Sequence, residues 1–147
     1  MCEFCDHSSL LRSVSMLRCG VPPLEDADGN GHGTATASIA IGRRYGTATG
    51  ANAIAVKVVS DSGEAATSDI IAGIQWVINA VKKSGRPSVM DLAWSTEPNT
   101  ALNQAVTAAI NAGISITAAA GDNKDDARYF SPGQGQWFCL ERVRVKG

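Results

Sequence analysis

The chain has 147 residues, of which 44% are hydrophobic and 18% are charged, and this length and composition fit one globular domain with a buried core. Lys and Arg contribute 13 residues against 14 Asp and Glu, so the formal net charge is −1. The sequence shows neither the basic excess that binds nucleic acid or anionic lipid nor an apolar run that could cross a membrane, so we expect neither partner.

Three zones follow one another along the chain. Residues 1–24 form a divergent N-terminal segment, which does not read as a signal peptide because its first residues are acidic and Arg12 and Arg18 interrupt its apolar stretch. The localisation is therefore unknown from the sequence. Residues 25–132 alternate predicted helices and strands, and residues 133–147 form a divergent C-terminal tail. The N-terminal segment contains a short helical pattern at Leu10, Leu11, Val14 and Leu17.

The middle zone has a regular order of elements. Apolar periodicity and turn residues predict helices over 33–41, 68–83 and 100–111, and strands over 53–58, 88–92 and 114–118. We expect Ser68 to cap the second helix, and Gly85 and Gly113 to end the second and third. Strands that alternate with helices of this length predict parallel βαβ units and an α/β fold.

The four cysteines lie near the two ends of the chain. Cys2, Cys5 and Cys19 fall in the first twenty residues and Cys139 in the last ten, so they do not form a disulfide framework for the whole chain. Cys2 and Cys5 with His7 suggest a small metal site, but a closed zinc site needs a second ligand pair and none is evident. We interpret the cysteines as free thiols, or as thiols whose pairing has no structural role, and expect no metal or other cofactor.

The strongest chemical signal is the segment DGNGHGT at residues 28–34, which places His32 between two glycines before a predicted helix. Glycines let other chain segments approach closely, and a turn fixes the ring, so His32 is a candidate general base. By itself, a single histidine in a turn is more often an ordinary polar turn residue. The chemical interpretation therefore depends on the surrounding sequence.

That surrounding sequence resembles the subtilisin family, especially its proteinase K-like fungal branch. DGNGHGTATASIA is similar to the family's DGNGHGTHVAGTIAG, and the segments ANAIAVKVVSDSGEAATSDIIAGIQWVINAVKKSGRPSVMDLAWS and AVTAAINAGISITAAAGDN follow the family pattern in order and spacing. The resemblance covers residues 28–132. It implies part of a three-layer subtilisin-like fold, with a mostly parallel sheet and helices on both faces, and a serine endopeptidase that acts on peptides or proteins. It also places His32 at the catalytic histidine.

The other two members of the family's Asp-His-Ser triad are not evident. No D-[ST]-G motif precedes His32: Asp6 lacks the motif's neighbours, and the DSG at 61–63 follows His32 and matches a surface turn. No serine lies in the family's G-T-S-x-A motif, and Ser131 matches a structural loop position. We therefore expect the orienting Asp and the nucleophilic Ser to be absent from this sequence.

Other departures fall at functional positions. Asp122 occupies the place of the family's oxyanion-binding Asn, and a carboxylate cannot donate the hydrogen bond that an amide donates. Asn123 is adjacent, but the spacing to Pro132 favours Asp122 at that place. The family's S-L-G-G groove edge is replaced by Ala93, Trp94, Ser95 and Thr96, where Trp94 either crowds the groove or, as we prefer, packs on apolar surface. Ala35 and Ser38 replace a histidine and a glycine of the histidine motif.

These features predict a truncated and inactive fragment of a subtilisin-like serine peptidase. An alternative is an active peptidase whose ends are mis-joined, and another is a non-catalytic module that binds peptides or a propeptide. The family's calcium sites cannot be mapped onto residues of this sequence. Because the family domain is about twice as long, we expect exposed apolar faces around Ile74 and Val106 and a tendency to self-associate.

Overall fold

A computed structural model describes residues 14–18, 27–121, 124, 126–133 and 139–141. The chain forms two compact units, Met1–Gly73 and Ile74–Gly147. In chain order the elements are β1 (Val14–Arg18), α1 (His32–Ile41), β2 (Ala53–Lys57), α2 (Thr67–Ser84), β3 (Val89–Leu92), α3 (Thr100–Asn111), β4 (Ser115–Ala119), a 3-10 turn (Ala127–Tyr129) and β5 (Cys139–Glu141).

The first unit contains a parallel pair of strands, β1 and β2, in register from Val14 opposite Ala53 to Arg18 opposite Lys57. The helical pattern predicted around residues 10–17 is therefore wrong where the structure describes it, because residues 14–18 form a strand. Pairing with β2 satisfies the backbone of β1, and such a long-range partner is invisible to a local pattern of apolar residues. Leu10 and Leu11 lie outside the described residues.

The second unit is built on a parallel three-stranded sheet in the order β3–β4–β5. β3 and β4 pair in register from Val89 opposite Ser115 to Leu92 opposite Ala118. The core of this unit consists of apolar side chains from its helices and strands: Ile74, Ile78, Met90, Leu92, Leu102, Val106, Ala109, Ile114, Ile116 and Ala118. The parallel α/β class predicted from the alternation of elements is confirmed.

The helix ends follow the predicted turn chemistry with one exception. Gly85 has φ +65° and Gly113 has φ +83°, and these left-handed conformations end α2 and α3 where glycine is the residue of least strain. The Asn99 side chain caps α3 by accepting a hydrogen bond from the Leu102 N–H at 3.0 Å. Ser68 does not cap α2: the helix begins at Thr67, so Ser68 lies within its first turn.

The exposed apolar faces predicted around Ile74 and Val106 are absent, because each of these side chains is 0% exposed. Ile74 in α2 and Val106 in α3 are core residues, because other parts of the described chain cover both side chains. The large apolar side chains that the described part of the chain does expose lie elsewhere: Ile39, Tyr45, Ile54, Val89 and Tyr129.

Candidate active site

His32 is the first residue of α1 and is exposed to solvent. The residue before it, Gly31, is the N-cap and has φ +84°. An L-residue with a side chain is strained in this left-handed conformation, so glycine allows the sharp entry into the helix. The turn therefore presents the His32 imidazole at the N-terminal end of α1.

Asp28 fixes this turn against the first turn of α1. One carboxylate oxygen accepts a hydrogen bond from the Gly31 N–H at 2.7 Å. The other accepts hydrogen bonds from the Thr34 N–H at 2.9 Å and from the Thr34 hydroxyl at 2.6 Å. The helix N-terminus has unsatisfied N–H groups and a positive dipole end, so a carboxylate here stabilises both.

A second set of contacts connects the turn to β2. The Asn30 side chain accepts a hydrogen bond from the His32 N–H at 3.3 Å and donates one to the main-chain carbonyl of Asp61 at 3.0 Å. Lys57, at the end of β2, forms an ion pair with the Asp61 carboxylate and donates a hydrogen bond to the Ala27 carbonyl at 2.8 Å. The segment from Asp28 to Thr34, which we call the histidine turn, is thus anchored to α1 through Asp28 and to the end of β2 through Asn30, Asp61 and Lys57.

The His32 imidazole has no hydrogen-bond partner among the described residues. Asp61, the acid of the DSG segment, lies in a surface turn as predicted, and its carboxylate contacts Lys57. Asp6 lies outside the described residues. The described part of the chain therefore contains no acid that orients the ring.

The four residues at the predicted groove edge follow β3 in the second unit, whereas His32 belongs to the first. Ala93 and Trp94 are half-buried, and Ser95 and Thr96 are exposed. The Trp94 indole nitrogen is shielded from solvent and has no hydrogen-bond partner in the described residues. A half-buried indole of this kind is in keeping with a packing role for Trp94.

Thr96 is already paired through its backbone. It forms an antiparallel bridge with Ser131, in which the Thr96 N–H donates to the Ser131 carbonyl at 2.8 Å and the Ser131 N–H donates to the Thr96 carbonyl at 2.9 Å. Ser131 is 0% exposed, and its hydroxyl accepts a hydrogen bond from the Asn99 N–H at 2.8 Å. Ser131 therefore supports the loop after β3 and is inaccessible to a substrate.

Two predicted site positions, Asp122 and its neighbour Asn123, lie outside the described residues, as do Cys2, Cys5, His7 and Cys19. Within the described ranges, no three His, Cys, Asp or Glu side chains form a group that could hold a metal ion. No helix of that part of the chain is both long and apolar enough to span a membrane.

The contribution of Lys57 to the histidine turn is one functional feature that the sequence patterns did not predict. The prediction of a strand over 53–58 is confirmed for residues 53–57, but only its second half is buried, since Ile54 is exposed. The one charged residue in that run was the available signal. Lys57 is only 8% exposed, and a buried ammonium group needs compensating partners. A search for an acid near it in the sequence would have led to Asp61, four residues later.

The parallel α/β units and the glycine-flanked histidine at a helix start define a subtilisin-like protein. The profile of the subtilase family, peptidase S8, matches residues 20–138. The chain belongs to the subtilase family.

Known relatives agree with this assignment. The chain is 43% identical over 117 residues to subtilisin-like protease 4 of Trichophyton equinum, a match that covers 78% of this chain and 30% of that protein. It is 36% identical over 117 residues to subtilisin-like protease 1 of Trichophyton rubrum, where it covers 78% of this chain and 23% of that protein. The chain thus spans under a third of the length of these relatives.

Solved structures give the same fold. A crystal structure of a cold adapted subtilisin-like serine proteinase superposes with a TM-score of 0.71 at 35% identity, over 80% of this chain and 43% of that one. Sphericase superposes with a TM-score of 0.56 at 30% identity, over 60% of this chain and 29% of that one. These matches confirm a partial subtilisin-like fold.

Proposed function

We propose that this chain supplies the histidine-bearing part of a subtilisin-like serine endopeptidase, and that its 147 residues alone do not hydrolyse peptides. The observation that supports the role in an endopeptidase is the exposed His32 at the start of α1, in a turn fixed by Asp28 and Asn30. Its substrate would be a peptide or protein.

His32 would act as the general base. In the triad mechanism, the imidazole takes the proton of the serine hydroxyl as that oxygen attacks the scissile carbonyl, and it then returns the proton to the leaving amine. Two features support this role: the ring is open to solvent, and the turn behind it is held by several hydrogen bonds. A fixed turn keeps the base in place and reduces the reorganisation that the reaction requires.

The proposed inactivity of the chain alone depends on three positions of the family's machinery: the nucleophilic Ser, the orienting Asp and the oxyanion-binding Asn. No D-[ST]-G motif, which would contain the orienting Asp, precedes His32. No serine lies in a G-T-S-x-A motif, and Ser131 is buried and hydrogen-bonded to Asn99. Asp122 would bring a negative charge to the place where an amide donor stabilises the oxyanion. Loss of such a donor lowers kcat by about 10²–10³-fold, a figure measured on subtilisin itself.

Peptide binding without hydrolysis is the second candidate, and it has less support. An extended peptide binds a sheet edge through backbone hydrogen bonds. At Thr96 both backbone groups already bond to Ser131, which leaves less of the predicted edge for a peptide. If the purified chain shows no affinity for unfolded peptides or for a subtilase propeptide, this candidate is wrong.

A serine-directed probe tests the proposed inactivity. The purified chain and its His32→Ala variant are incubated with a fluorophosphonate, and intact mass and cleavage of a peptide substrate are measured, with an active subtilase as the positive control. We expect no adduct and no cleavage for either form. An adduct on any serine that disappears in His32→Ala would mean that an unrecognised nucleophile works with His32, and the inactivity proposal would be withdrawn.

A chimera tests the endopeptidase half of the proposal. Residues 28–132 replace the matching segment of subtilisin-like protease 4 of Trichophyton equinum, which then supplies the remaining parts. We expect the chimera with Asp122→Asn to cleave peptides about 10²–10³-fold faster than the chimera with Asp122, and His32→Ala to abolish cleavage in both. Cleavage that survives His32→Ala would contradict the role proposed for His32.

A further inference from the structure

We propose that Asp61, held in place by Lys57, is a positioning residue for His32. The role deepens the proposed function and rests on it, since the position of His32 matters only if the imidazole acts as a base. Asp61 does not contact the imidazole. It acts through its main-chain carbonyl and through Asn30.

The anchor of this arrangement is the Lys57 side chain. It is 8% exposed, forms an ion pair with the Asp61 carboxylate and donates to the Ala27 carbonyl at 2.8 Å. Ala27 immediately precedes the histidine turn, and Asp61 lies in the turn after β2. A buried ammonium group is costly unless it is paired, so Lys57 holds both segments at a fixed distance from the end of β2.

Asn30 carries the effect from Asp61 to His32. Its side-chain amide donates to the Asp61 carbonyl at 3.0 Å, and its side-chain oxygen accepts from the His32 N–H at 3.3 Å. Each half of the amide group thus has a different partner, which sets the orientation of the side chain. A shift of the Asp61 carbonyl would move Asn30, and the first residue of α1 would lose its hydrogen bond.

A close approach at Gly29 supports the same connection independently. A Cβ atom at Gly29 would collide with the carboxylate of Asp61. The histidine turn therefore packs directly on the Asp61 side chain, and only glycine leaves room for this contact. Asp61 meets the turn at two points, by packing at Gly29 and by a hydrogen bond at Asn30.

The test compares Asp61→Asn with a matched control, Glu64→Gln. Both substitutions remove one negative charge from the segment after β2, but among the described residues no ion pair or hydrogen bond joins the Glu64 carboxylate to Lys57, whose partner there is Asp61. We expect Glu64→Gln to leave the His32 N–H exchange rate unchanged. Solution NMR measures the chemical shift of the His32 N–H and its exchange rate with water, and the amide of Ile116 in β4 serves as a reference. We expect Asp61→Asn to accelerate His32 N–H exchange roughly tenfold through local opening and to shift the His32 imidazole signals, while Ile116 stays unchanged.

Asn30→Ala gives a second test that leaves the Lys57–Asp61 pair intact. It should accelerate exchange of the His32 N–H by a similar factor, and the double variant should add little, because both substitutions break the same connection. Equal acceleration of N–H exchange at His32 and Ile116 would indicate that the ion pair only stabilises the fold, and would overturn the proposal. So would an unchanged exchange rate at His32 in Asp61→Asn, or additive effects of the two substitutions in the double variant. None of these measurements requires catalysis, so their failure is distinguishable from failure of the proposed function.

Discussion

The carboxylate of Asp28 binds the first turn of α1 through Thr34, whose N–H and hydroxyl donate to the same oxygen at 2.9 and 2.6 Å. We expect Asp28→Ala to lower the free energy of unfolding by about 0.5–2 kcal/mol, the range for losing a side chain that accepts a hydrogen bond from the first turn of a helix. Asp28→Asn keeps an oxygen acceptor and should cost less. Urea denaturation followed by circular dichroism measures both, and an equal loss in the two variants would contradict a capping role.

Gly31 and Gly50 form a matched pair for a test of backbone strain. An added Cβ meets no atom within 4 Å at either position, but only Gly31 has a positive φ, +84°. Gly31→Ala should therefore destabilise the protein by about 1–2 kcal/mol through backbone strain alone, whereas Gly50→Ala should be nearly neutral. Thermal denaturation of the two variants decides between strain and a general intolerance of side chains in these turns.

The Ser131 hydroxyl is a structural group. Ser131→Ala removes the partner that accepts the Asn99 N–H at 2.8 Å, and loss of a buried hydrogen-bond partner costs about 1–3 kcal/mol. The exposed Ser95 provides the control, for which Ser95→Ala should change the unfolding free energy by less than about 0.5 kcal/mol. Equal stability of the two variants in urea would show that the Ser131 hydroxyl is dispensable.

The Asp126 carboxylate should titrate unusually low. Its hydrogen bonds with the Arg128 side chain and N–H lower its pKa from 3.8 to about 2. Because the folded-state pKa lies below the ordinary value, the stabilising contribution of the pair is present above about pH 4 and is lost as the pH falls towards 2. NMR titration of the carboxyl carbon checks this, and Arg128→Gln should raise the pKa towards its ordinary value. An unchanged midpoint in that variant would assign the shift to another cause.

We expect self-association to use the apolar side chains that the structure exposes. Val89 is 69% exposed and Ile54 is 57% exposed, so a contact between copies that covered either side chain would remove apolar surface from water. We expect Val89→Thr and Ile54→Thr to weaken association in sedimentation velocity without loss of the fold. Thr107→Val, which adds apolar surface to an exposed position of α3, is the opposite control and should not weaken it.

The order of elements within the middle zone was predictable from residues alone. The predicted helix over 100–111 matches α3, and the predicted strand over 53–58 exceeds β2 by one residue at its C-terminal end. Both follow from local rules, since apolar spacing and glycine positions act over a few residues. The start of α2 was less predictable: the helix begins at Thr67, so Ser68 is not its cap. Several neighbouring polar residues could begin this helix, and the sequence does not distinguish them.

The family, the parallel α/β class and the place of His32 before a helix could all be predicted from the residues, because each depends on short segments whose order and spacing carry the information. Three properties became evident only in the folded chain: residues 14–18 form a strand, Ile74 and Val106 are buried, and Lys57 and Asp61 support the histidine turn. These properties depend on partners far along the chain. Hydrogen bonds and burial between distant segments outweigh local propensity once the chain is compact.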